Sequence, residues 1–96
     1  MESMNILAVC GSGLGSSFML EMNIKDVLKQ ENITDIEVEH SDVTSATPGS
    51  ADLYVVGKDI ADSLGDIGPM IVLDNIIDLD ELKTKLFHYL KQEGII

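Results

Sequence analysis

At 96 residues, 45% of them apolar, the chain can build one hydrophobic core but not two. Its formal net charge of −11, with six scattered Lys and no Arg, argues against nucleic acid as a partner, because phosphate-backbone contacts need clustered cations. The single Cys excludes an internal disulfide and a Cys-rich zinc site, and no apolar run approaches the ~20 residues of a membrane span.

Met1-Glu2-Ser3-Met4 has no basic region, so no secretory signal is expected and a cytoplasmic protein follows. Ile6-Leu7-Ala8-Val9 is a short unbroken apolar run, which predicts a parallel strand buried on both faces. From Ser16 to about Glu31 the pattern is helical, with Leu20, Ile24, Val27 and Leu28 on one stripe. Ile36-Glu37-Val38-Glu39-His40 alternates strictly and predicts a half-exposed edge strand. Ser41 to Ser50, rich in Ser, Thr, Pro and Gly, predicts a loop. Leu53-Tyr54-Val55-Val56 reads as a third strand, followed by a short helix over Ile60 to Leu64 that Asp59 would cap. Met70-Ile71-Val72-Leu73 reads as a fourth strand. Asp78 or Asp80 then opens a last helix with Leu79, Leu82, Leu86, Phe87 and Leu90 as its apolar stripe and Gly94 as its stop.

Strands alternating with helices imply a single α/β domain, a parallel sheet with helices on both faces. In such sheets ligands bind outside the carboxyl ends of the strands, where strand order reverses. A central first strand would put Cys10 at that point.

The informative segment is Cys10-Gly11-Ser12-Gly13-Leu14-Gly15-Ser16-Ser17. Its glycines let the backbone turn N–H groups inward, and the helix that follows aims its unpaired N–H groups and positive dipole end at the same place. That is an anion cradle needing no side-chain cation, and Ser12, Ser16 and Ser17 can add hydroxyl donors. The same field favours a thiolate, so Cys10 is expected to be a nucleophile near neutral pH.

Two other chemistries use similar loops. Low-molecular-weight phosphatase-like and arsenate-reductase-like cysteine enzymes place an Arg after Cys and five residues; here that position holds Ser16. An Arg there clamps the equatorial oxygens of a transferring phosphoryl group, so its absence favours a phosphocysteine that waits for an acceptor. Asp74, after the fourth strand, stands where such enzymes keep a general acid but is read as a turn or helix-entry residue. A dinucleotide site is disfavoured because Ser16 replaces the third Gly of G-x-G-x-x-G.

The run Ile6 to Ser17, continuing Phe18-Met19-Leu20-Glu21-Met22, resembles the IIB component of the bacterial sugar phosphotransferase system, most closely its L-ascorbate type. The resemblance implies a four-stranded parallel sheet of order 2-1-3-4 over residues 1–96 as one phosphocarrier domain. It implies that Cys10 takes phosphate from a histidine of a IIA protein and passes it to sugar held by the membrane IIC component. It makes Gly11, Ser12, Gly13, Leu14, Gly15, Ser16 and Ser17 the phosphate loop, and calls for no metal or cofactor. Phe18, Met19 and Met22, off the core stripe, are candidates for an apolar patch that meets these partners. His40 is read as a strand-end histidine, with assistance to proton transfer as the alternative. His88 is expected to face solvent, and Asp42 and Asp59 to cap backbone.

Overall fold

The computed structural model describes residues 4–9, 14–43 and 46–95. The elements are β1 (Met4–Val9), α1 (Leu14–Gln30), β2 (Ile36–Ser41), β3 (Leu53–Gly57), α2 (Lys58–Leu64), β4 (Met70–Leu73) and α3 (Leu79–Gln92). The strands form one all-parallel sheet of order β2-β1-β3-β4, as expected, so β1 is central and β2 is an edge.

Alternation along β1 and β3 divides the interior into two layers. Ile6, Ala8, Leu53 and Val55 face Leu20, Ile24 and Leu28 of α1 and Leu82, Leu86 and Leu90 of α3. Leu7, Val9, Tyr54 and Val56 face the other way, toward Ile60 of α2 and Ala46 of the β2–β3 connection. Residues 6–9 of β1 are therefore buried on both faces, which is why they form an unbroken apolar run. The Tyr54 hydroxyl fixes the β2–β3 connection: it donates to the Thr47 carbonyl at 2.7 Å and accepts from the Ser50 and Ala51 N–H groups at 2.9 and 3.2 Å.

Helix ends follow local chemistry. α1 stops at Asn32, which takes the left-handed conformation (φ 57°), with Asn32 N–H bonded to Lys29 O and Ile33 N–H to Leu28 O. Gly94 (φ 73°) closes α3 in the same way through Gly94 N–H to Lys91 O and Ile95 N–H to Leu90 O. Asp78 caps the start of α3, accepting from the Asp80 and Glu81 N–H groups.

Two expectations are corrected. Asp59 does not cap α2: the helix starts at Lys58 with Gly57 in the cap position and no side-chain cap bond, because β3 runs straight into α2 with no loop between them. Leu79 is in line with Leu82, Leu86 and Leu90 but is 50% exposed, since it is the helix's first residue, at the end of the buried row.

Candidate active site at the carboxyl edge

In a wholly parallel sheet the carboxyl ends of the strands and the amino ends of the helices that follow them share one edge. Val9, the last residue of β1, is fully buried and pairs with Ser41 on one side and Val56 on the other. Cys10 follows it in the chain; Cys10, Gly11, Ser12 and Gly13 lie outside the described residues. The chain re-enters at this edge as α1, two residues earlier than the periodicity suggests. Leu14, Gly15, Ser16 and Ser17 form its first turn, and the Ser17 side chain is fully buried.

The helices that begin here differ in charge. α2 carries Asp59 in its first turn, and α3 carries Asp80 and Glu81 behind the Asp78 cap. These carboxylates satisfy the positive helix ends from within the chain. The first turn of α1 holds no acidic residue.

α1 also brings the other predicted side chains to this end. Phe18, Met19 and Met22 are 50%, 40% and 50% exposed, off the buried row Ser17, Leu20, Glu21, Ile24. Ile77, between β4 and α3, and Leu79, the first residue of α3, add exposed apolar surface at the same edge. Across from α1, His40 of β2 turns inward: its Nδ1 lies 2.5 Å from Glu21 Oε1 and its ring 5.4 Å from that of Phe18. The other Glu21 oxygen accepts from Lys25 Nζ at 2.6 Å. Burial opposes the charge on Glu21, but the bonds from Lys25 and His40 outweigh it and hold the carboxyl below its usual range. Glu21 is the residue that the sequence reading passed over. The signal was available: a carboxylate on the apolar row of a helix needs a buried partner, and His40 continues the inward alternation Ile36, Val38.

At the other end of the sheet edge, Asp74 is a turn residue, as expected. Its N–H donates to Glu81 Oε2 at 2.7 Å, and the Asn75 N–H donates to Glu81 Oε1 at 3.0 Å. Glu81 is in turn bonded to Lys85 Nζ at 2.7 Å. A depression of about 240 Å3 lies here, lined by Lys58 and by the two carboxylates Asp59 and Asp74 together with Gly57, Leu73 and Ile76. A larger depression of about 790 Å3 runs along the outer side of α1 and β2 and includes Asn32, Ile33 and Thr34, at the opposite end of the strand. His88 is exposed, as expected, and Asp42 lies just past β2, its carbonyl accepting from Ser41 Oγ at 3.3 Å. Among the described residues no cluster of His, Cys, Asp and Glu is arranged to hold a metal, and no helix is long and apolar enough to cross a membrane.

The sequence model of the family described as "PTS system, Lactose/Cellobiose specific IIB subunit" matches residues 5–87, from β1 into α3 and including the whole glycine-rich segment. No curated protein matches the chain.

Proposed function

The chain belongs to the lactose/cellobiose-specific IIB family of the sugar phosphotransferase system, a phosphotransfer component, and on that premise we propose that Cys10 is the residue that carries the phosphoryl group. One observation carries the reading: the family match spans the point where the buried end of β1 leads into α1, and α1 has no carboxylate of its own in its first turn. Gly11 to Ser17 form the cradle, with main-chain N–H groups as the principal donors and the hydroxyls of Ser12, Ser16 and Ser17 beside them.

The family works with a IIA protein and a membrane IIC component. In the first step the Cys10 thiolate attacks the phosphorus of a IIA phosphohistidine in line; the S–P bond forms, the P–N bond breaks, and the electron pair stays on the donor ring. In the second, a hydroxyl of sugar bound to IIC attacks the phosphocysteine: the O–P bond forms, the S–P bond breaks, the hydroxyl gives up its proton and the sulfur leaves as thiolate. Phe18, Met19 and Met22 are the docking patch that covers the site at each step. The chain has no Arg to stabilise the equatorial oxygens during attack by water, so the phosphocysteine persists between partners. The sugar is taken to be L-ascorbate, because the run Ile6 to Met22 resembles the ascorbate-type members, with a pentitol or another sugar as the alternative. The whole of residues 1–96 is read as one such domain, working at the cytoplasmic side.

Incubation with phosphorylated IIA protein tests this. Intact-mass spectrometry is expected to show one added phosphoryl group, mapped to Cys10 and lost in Cys10→Ser. Steady release of phosphate from an aryl phosphate would instead make the chain a phosphatase-like cysteine enzyme.

A further inference from the structure

The sheet ends at β2 on one side and at β4 on the other, and the two edges are finished differently. Along an edge strand every second residue aims its N–H and C=O groups away from the sheet. The Asn5 carbonyl accepts from the Asp52 N–H, which turns Asn5, and Leu7 with it, toward β3 and leaves Ile6 and Ala8 to bond β2. In that parallel register Glu37 and Glu39 bond β1, while Ile36, Val38 and His40 face outward. The same count along β4, starting from the Tyr54 N–H bonded to the Pro69 carbonyl, turns Met70 and Val72 outward. There Lys85 Nζ takes the Val72 carbonyl at 2.7 Å, and Pro69 directly precedes the strand. Among the described residues no side chain covers the main-chain groups of Ile36 or Val38 in this way.

The two faces of this open edge have different chemistry. On the α1 side β2 borders the depression of about 790 Å3, whose floor is the half-buried Ile33 and Ile36 over Leu28 and Val38. On the other face Glu37 and Glu39 are exposed, roughly 6.7 Å apart along the strand, and Asp35 just before the strand adds a third exposed carboxylate. Among the described residues none of the three has an ionic partner. A second copy of the chain paired here would lay one acidic row beside another, and like charges opposite one another destabilise a strand pair. A strand with Lys or Arg at alternate positions meets the row with opposite charge and sets its intervening side chains over Ile33 and Ile36.

We propose that the free edge of β2 adds an extended segment of a partner protein in which basic and apolar residues alternate. The outward N–H and C=O groups of Ile36, Val38 and His40 supply the affinity, and the carboxylate row and the apolar floor read the alternation. This surface runs along the side of the sheet, and its use does not depend on phosphorylation of Cys10.

The probe is the peptide acetyl-Lys-Val-Lys-Val-Lys-amide, and its control is acetyl-Lys-Lys-Lys-Val-Val-amide, equal in charge but without the alternation. Amide hydrogen exchange followed by NMR is the readout. The alternating peptide is expected to slow exchange at Ile36, Val38 and His40 and to leave Glu37 and Glu39, already bonded to β1, unchanged; the control is expected to slow none of them. In the double variant Glu37→Lys/Glu39→Lys, with circular dichroism as the check on folding, the Kd for the alternating peptide is expected to rise about tenfold. Acetyl-Glu-Val-Glu-Val-Glu-amide should then bind that variant in its place. No binding of the alternating peptide, or equal binding of both peptides without protection of the β2 amides, overturns the proposal. A dimer in sedimentation that protects the same amides without peptide makes a second copy the occupant and also overturns it. Either result leaves the carrier function standing, since that rests on phosphorylation of Cys10 by the IIA protein.

Discussion

Glu81 joins two elements through one carboxylate: it accepts from Lys85 and from the main-chain N–H groups of Asp74 and Asn75. The bond from Lys85, then those two N–H groups, lower its pKa to about 2. A carboxyl depressed in the fold stabilises it above the unfolded value and loses that contribution as pH falls through the folded value. The β4–α3 turn is therefore expected to hold at pH 5 and to loosen between about 4.5 and 2. Amide exchange at Asp74 and Asn75 checks this: protection should fall over that window, and should already be low at pH 5 in Glu81→Gln. The acidic run from Asp74 to Glu81 was legible in the sequence as a helix entry. Which carboxylate caps and which clamps was not, because Asp78 and Glu81 have the same local chemistry and differ only in what lies opposite them. His40 and Glu21 illustrate the same limit: each faces inward by its own periodicity, but their meeting depends on the register of α1 against β2.

At the scale of elements, the junction of β3 and α2 is closely packed. A Cβ on Gly57 would lie 2.6 Å from Asp59 Oδ1 and 3.1 Å from Ile76 Cγ2. Gly57 has an ordinary extended backbone (φ −77°), so the demand for glycine comes from close approach and not from conformation. Gly57→Ala is expected to destabilise by about 1–3 kcal/mol in urea unfolding. Adding Asp59→Ala should recover the part due to the carboxylate and leave that due to Ile76. The direct join also explains why Asp59 misleads as a cap: the usual signal assumes a loop residue before the helix, and here a strand residue takes that place. Strands were easier to read than helix starts, because burial on two faces writes itself into residues 6–9 of β1 and all of β3, whereas a helix start depends on one or two residues.

Across the whole molecule the sheet is a partition. Val55 and Val56 are neighbours in the chain, yet one belongs to the α1–α3 layer and the other to the α2 layer. Val55→Ala and Val56→Ala are each expected to cost about 2–3 kcal/mol, with chemical-shift changes confined largely to opposite layers. The architecture was legible because three apolar runs and one alternating segment, interspersed with helical patterns, admit few arrangements. The edge proposed to carry the chemistry was singled out in the sequence by the glycines and the lone Cys, and Cys10 to Gly13 lie outside the described residues. What surrounds them came from packing that no local pattern records, such as the exposed Ile77 and Leu79.

The partition has an optical consequence. The chain has no Trp and two Tyr. Tyr54 is sealed within the α2 layer with its phenol tied to main chain, whereas Tyr89 of α3 is only partly covered, against the opposite layer. Ultraviolet emission from the intact protein thus comes from one fluorophore on each side of the sheet, and replacing either by Phe leaves a reporter that watches a single side.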